Sequence, residues 1–95
     1  MFLGTYRFEG DPDILKQGYD RMIETVPHAN LHLHLCVPDE QGLTIYDTCP
    51  TRDVFMQFSG SDDFRELLNS LAMPAPTITP LGEIHSAFVS GNRIV

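Results

Sequence analysis

Two strand-like runs flank a short polar loop, and their pairing limits the folds open to this chain. Leu31, Leu33, Leu35 and Val37 alternate with His32, His34 and Cys36; Leu43 to Thr48 follows after Pro38-Asp39-Glu40-Gln41-Gly42. Side chains alternate across a strand, so the spacing predicts a β-hairpin whose two faces differ in chemistry. Pairing Val37 with Leu43 makes Pro38–Gly42 the loop. It sets Cys36 opposite Thr44, His34 opposite Tyr46 and His32 opposite Thr48. On that register the histidines, Cys36 and Tyr46 share one face. Leu43, Ile45, Asp47 and Cys49 share the other.

Helical signals lie on each side of the hairpin. Asp11-Pro12 is a helix start, and Leu15, Tyr19, Met22, Ile23 and Val26 form one apolar stripe that Pro27 closes. Gly18 inside that stripe costs about 1 kcal/mol relative to Ala; either the backbone sits close to a neighbour there or the glycine is simply tolerated. Thr51 caps a second helical region carrying Val54, Phe55 and Phe58. Ser59-Gly60-Ser61-Asp62 interrupts it before Phe64, Leu67, Leu68 and Leu71, which predicts a broken helix or two short ones. Residues 2–8 read as a first strand and Ile78 to Val89 as a last one, with Pro80 and Gly82 suited to an edge or a bulge. Ser90-Gly91-Asn92-Arg93 reads as a turn.

The order β-α-β-β-α-β in 95 residues predicts a single α+β domain over residues 1–95. Its expected form is ferredoxin-like: a four-stranded antiparallel sheet, strand order 4-1-3-2, with two helices on one face. A domain this small buries only about 60–65% of its unfolded surface. Its uncovered sheet face would carry sizeable side chains, and the economical cover is a second copy placed face to face. A homodimer is therefore expected.

Composition narrows the partners. Six basic against thirteen acidic side chains give a net charge of −7, which repels phosphate backbones and argues against nucleic acid and anionic membranes. No apolar run approaches the ~20 residues needed to cross a bilayer, and the first residues lack a signal-peptide layout. The two cysteines, Cys36 and Cys49, point to opposite faces on the register above and belong to no Cys-x-x-Cys motif. Reduced thiols agree with a cytoplasmic setting.

Leu43-Thr44-Ile45-Tyr46-Asp47-Thr48-Cys49-Pro50-Thr51-Arg52, continuing to Phe55 and Phe58, resembles the third strand and helix entry of the dimeric α/β-barrel superfamily. It is most similar to small proteins related to antibiotic-biosynthesis monooxygenase domains. Glu83-Ile84-His85 is similar to a recurrent Glu-x-His in those proteins. The resemblance implies two ferredoxin-like sheets pairing into a barrel, with an activity that ranges from oxygenase and isomerase to simple ligand binding. Heme-degrading members carry an Asn on the first strand, a Trp ending the third and a His on the second helix. Here residues 2–8 hold no Asn, Cys49 stands at the Trp position, and no His lies between Thr51 and Met73. No cofactor is expected.

His34 beside Tyr46 places an imidazole against a phenol, a pair able to shuttle a proton; hydrogen bonding across a dimer is the plainer use. Asp47 on the apolar face needs a partner, with Arg7, Arg52 and His85 as candidates, or it helps cap the helix at Thr51. His85 suits an acid–base group at a pocket mouth or a residue satisfying nearby backbone. A metal site built on His32, His34 and His85 would join opposite edge strands roughly 14 Å apart, so no metal is expected. The sequence thus predicts a small homodimeric α/β-barrel protein binding a small organic ligand. The alternative is a cofactor-independent monooxygenase or isomerase acting on an aromatic or polyketide-like compound, with His34, Tyr46, Asp47 and His85 as its working groups. An accessory dimer with no ligand is the third class.

Overall fold

A computed structural model describes residues 1–95. The chain runs β1 (Phe2–Glu9), α1 (Pro12–Thr25), a 3-10 turn at His28–Asn30, β2 (His34–Asp39) and β3 (Gly42–Cys49). It continues through α2 (Arg52–Ser59), α3 (Asp62–Ser70) and β4 (Thr77–Glu83) to a terminal hairpin of β5 (Phe88–Val89) and β6 (Asn92–Arg93). β1 to β4 form one antiparallel sheet in the order β2-β3-β1-β4. The fold is α+β with three α-helices, the second helical region forming two short helices, one of the two alternatives the sequence left open. No helix is long and apolar enough to cross a membrane.

Each helix starts where its capping residue stands. The Asp11 carboxylate accepts from the Asp13 backbone N–H at 2.8 Å, Thr51 Oγ1 from Val54 at 3.2 Å, and Ser61 Oγ from Phe64 at 3.1 Å. The cap at Ser61 separates α2 from α3 and lets Phe55 and Phe64 approach the sheet from different directions. Phe2, Tyr6 and Phe8 of β1, with Leu43 and Ile45 of β3, meet Leu15, Met22, Phe55, Phe64, Leu68 and Met73 in one buried cluster. Of the two readings of the glycine inside α1, close approach is the one observed: a Cβ at Gly18 would sit 2.9 Å from Met73 Cγ.

The hairpin register differs from the sequence reading by one residue. His34 lies opposite Asp47, Leu35 opposite Tyr46, Cys36 opposite Ile45 and Val37 opposite Thr44. The ladder continues through Pro38–Leu43 and Asp39–Gly42, leaving only Glu40-Gln41 as the turn. Three contacts hold this tighter loop. The Asp39 carboxylate accepts from the Gln41 N–H at 2.8 Å and takes a two-pronged ion pair from Arg7 at 2.6 and 3.0 Å. Gly42 lies so close to the Phe8 carbonyl that a Cβ would overlap it. Pro38 is tolerated because β2 is an edge strand. Asp39 is correspondingly held down at about 2, first by the Arg7 hydrogen bond and then by the Gln41 N–H.

A one-residue slip exchanges the faces of a strand. His34 and Cys36 therefore lie on the helix-covered side with Ile45 and Asp47, while Leu35, Val37 and Tyr46 lie on the uncovered side, all at least a third exposed. Asp47 and Cys49 share the covered face with Leu43 and Ile45, as the sequence implied. Residues 31–33, expected within the strand, stand outside the ladder, which begins at His34, so His32 does not pair with Thr48. Thr48 Oγ1 instead donates to the Leu33 carbonyl at 2.8 Å and accepts from its N–H at 3.3 Å.

β4 is shorter than the sequence suggested. Its pairing with β1 shifts between Leu3 and Gly4, so that Gly4 meets Pro80 and Leu3 meets Gly82, with Leu81 bulged out. The expected last strand ends at Glu83. Residues 88–93 instead make a small hairpin that turns at Ser90 and Gly91, both at positive φ.

Phe55 anchors the helical layer. It is fully buried, and its ring packs at a tilt against Phe2 and Tyr6, 5.6 Å between centroids in each pair. Its ring occupies the space a side chain at position 4 would fill, so a Cβ on Gly4 would overlap it. Phe55→Ala is expected to cost about 3–5 kcal/mol in urea unfolding. Gly4→Ala should also destabilise, and less so when combined with Phe55→Leu; simple additivity of the two changes would contradict this packing.

Candidate functional site

A histidine–carboxylate pair is set into the covered face. His34 Nδ1 lies 3.0 Å from Asp47 Oδ1, and the two side chains are only 13% and 15% exposed. The register explains the contact: the residues are direct cross-strand partners on the face beneath α1. Tyr19 of α1 lies nearly parallel over the imidazole, 5.9 Å between centroids and 20° between planes. Burial pushes the Tyr19 phenol up to about 12, with smaller contributions from Cys36, Asp20 and Asp47.

A carboxylate has no proton to give, so Nδ1 is the donor in this contact. In the neutral ring the lone pair then sits on Nε2. His34 Nε2 is sealed from water and has no hydrogen-bond partner. The Tyr6 hydroxyl is the other buried side-chain atom left unpartnered. Tyr6 projects from the neighbouring strand beside Asp47, since its partner on β3 is Ile45. Burial, then the Asp47 carboxylate and the Cys49 thiol, push its phenol far above the usual range, so its proton stays in place. Leaving such an atom unpaired costs about 1–3 kcal/mol.

Both residues line a cavity of about 120 Å³ between the sheet and the helices. Its other walls are mostly apolar: Met22, Ile23 and Val26 from α1 and its cap, Leu31, Ile45, and Phe58, Phe64 and Leu67 from α2 and α3. Val26, Leu31, Asp47 and Phe58 also border an outer groove of about 390 Å³ that continues past His32, Thr48 and Pro50. These four residues border both spaces, so the small apolar cavity and the open groove meet along them.

The sequence-derived site is divided by the fold. His34 and Asp47 come together, and Asp47 takes His34 as its partner. Arg7 is engaged with Asp39 and Glu9. The expected His34–Tyr46 pair does not form, because Tyr46 faces the uncovered side beside Leu35. His85 lies exposed beyond the end of β4, the edge opposite β2. No group of three or more His, Cys, Asp and Glu side chains is placed to hold a metal ion. Cys36 and Cys49 are both free, and burial raises both thiols, Cys36 to about 11. Neither is poised as a nucleophile.

Tyr6 and Tyr19 are the residues that sequence reasoning passed over. A signal for Tyr6 was present, since Tyr6 alternates in phase with Phe2 and Phe8, and a phenol at a core position carries a hydroxyl that must be satisfied. Compared with protein families, with curated protein sequences and with solved structures, the chain matches none.

The tautomer can be read directly. Long-range proton–nitrogen NMR spectra of the His34 ring should show the proton on Nδ1 and a pyridine-like Nε2, and Asp47→Asn should reverse or mix the two. A neutral ring protonated at Nε2 in the wild type would contradict the arrangement.

Proposed function

We propose that this chain is one half of a homodimeric α/β barrel that binds a small organic molecule in the chamber between its helices and sheet. The observation that carries this reading is the His34–Asp47 pair set in the wall of an apolar cavity with a groove at its rim. Burying a carboxylate and an imidazole in such a wall is costly, and an ordinary core would place apolar side chains there. An apolar chamber of about 120 Å³ suits a compact guest of about one ring, with the groove accepting a substituent.

The strand order β2-β3-β1-β4, read from the other edge, is the 4-1-3-2 of a ferredoxin-like half barrel, which supports membership of the dimeric α/β-barrel superfamily. Leu35, Val37, Tyr46 and Leu81 stand exposed, Leu35, Val37 and Tyr46 on the uncovered face. A second copy placed face to face would cover such a patch. Tyr46 then belongs to the interface and not to the ligand chamber.

The cofactor-independent monooxygenase or isomerase reading is favoured by one feature, the unpartnered Nε2 of an imidazole held by a carboxylate. This is the usual arrangement of a general base.

Light scattering coupled to size exclusion is expected to give twice the chain mass at micromolar concentration, and Val37→Asp with Tyr46→Asp to give the monomer. Toluene is the probe for the chamber. It should raise the melting temperature of the wild type, and Val26→Trp, which plugs the rim, should abolish the rise. A monomeric wild type would remove the barrel, and an unchanged melting temperature in toluene would remove the chamber as a binding site.

A further inference from the structure

From two unpartnered buried atoms carried by residues that line one cavity, we infer that the chamber performs reversible proton transfer at the carbon next to a ligand carbonyl, with His34 Nε2 as base and the Tyr6 hydroxyl as donor to the carbonyl oxygen. This rests on the chamber being the ligand site and adds the class of ligand and a role for Tyr6.

The two orphans are complementary in kind. Nε2 offers a lone pair and seeks a proton, because the Asp47 carboxylate holds the other nitrogen's hydrogen. Tyr6 offers a proton and seeks an acceptor. Its phenol is kept protonated by burial and by the neighbouring carboxylate, so it gives a hydrogen bond without giving up the proton. A carbonyl with a hydrogen on the adjacent carbon presents one of each. A carboxylic acid or an amide also presents one of each, but its transferable hydrogen sits on oxygen or nitrogen, so it would be bound without any carbon–hydrogen bond breaking.

The step is balanced without any second reagent. Nε2 takes the hydrogen as a proton, and the C–H electron pair becomes the carbon–carbon double bond. The carbonyl π pair moves onto oxygen, where the negative charge meets the Tyr6 O–H. The imidazolium is stabilised by the Asp47 carboxylate. Return of the proton to the same carbon regenerates the ketone, and return to oxygen or to a conjugated carbon gives the isomer. The apolar walls of Met22, Ile45 and Phe64 exclude water, which strengthens both the hydrogen bond to the developing oxyanion and the ion pair behind the imidazole. Phe58 and Val26 border both the cavity and the outer groove; the two polar atoms are closed to water in the empty protein, so a ligand reaches them only as neighbouring side chains give way. Asp47 acts through His34 and is a positioning residue.

The probe is phenylacetone, whose benzylic hydrogens exchange with deuterium when the ketone enolises. Exchange is followed by proton NMR in heavy water, and binding by the protein's chemical shifts. The intact wild-type protein is expected to exceed an equal concentration of free imidazole by about 100-fold or more. Tyr6→Phe should lose most of that excess through the maximal rate, with little change in the half-saturating ketone concentration. Its melting temperature should be equal or higher, because an unpaired hydroxyl has gone. A purely structural Tyr6 would show the opposite, a lower melting temperature with unchanged exchange. Asp47→Asn should lose the excess along with the Nδ1-protonated tautomer, and it serves where His34→Gln fails to fold. Wild-type protein that binds phenylacetone without accelerating exchange overturns this inference and leaves the binding chamber standing. Full exchange by folded Tyr6→Phe overturns it as well. Protein that takes up neither phenylacetone nor toluene overturns both readings.

Discussion

The register of one hairpin decides which side chains meet beneath the helices. Asp39 is gripped from both sides, by the Gln41 N–H within the turn and by the Arg7 guanidinium from β1, while Gly42 allows β3 to begin pressed against the Phe8 carbonyl. Because the side-chain period of a strand is two, this turn sends His34 inward to Asp47 and Tyr46 outward to the open face. Had the loop been five residues long, the imidazole would lie opposite the phenol, and Asp47 would be buried without a partner. The ion pair at the turn is exposed and contributes little stability by itself. Its consequence is geometric.

The helical layer answers the same need on the other side. Gly4 leaves its place on the covered face to the ring of Phe55, and Phe55 in turn supports Tyr6 and Phe2. Tyr6 also meets Phe64 at 5.3 Å, and Phe64 meets Phe58 at 4.9 Å. A chain of rings thus runs from the centre of the sheet to the rim of the groove. The break between α2 and α3, capped by Ser61, is what allows Phe58 and Phe64 to belong to different helices and still touch. The cavity opens where this ring chain meets the C-terminal end of α1, whose last turn supplies Met22 and Ile23.

Inside that layer the polar groups are few, and two of their atoms are unsatisfied. An imidazole nitrogen and a phenol hydroxyl without partners are a standing cost in a domain whose total stability is small. Apolar side chains of similar size would avoid it. On the proposed reading a ligand's own polar atoms would complete the bonding, and the complementary demands of the two atoms would restrict what such a ligand is made of.

Much of the architecture was legible in local chemistry. Asp11, Thr51 and Ser61 each stand one residue before a helix and cap it, the interruption at Ser59–Asp62 marks the break between α2 and α3, and Pro80 and Gly82 fall at the edge strand and its bulge. These features depend on neighbours within a few residues, so the sequence alone determined them, together with the burial of Asp47 on the apolar face. Partnership across strands could not be read in that way. Whether Glu40-Gln41 or the longer Pro38–Gly42 forms the loop depends on Arg7 reaching Asp39 from 32 residues away and on the approach of Phe8 to Gly42. Only the tertiary structure supplies those contacts. It alone placed His34 against Asp47, turned Tyr46 and His85 away, and set Tyr6 beside the cavity, because one residue of register carries every side chain on a strand from one face to the other.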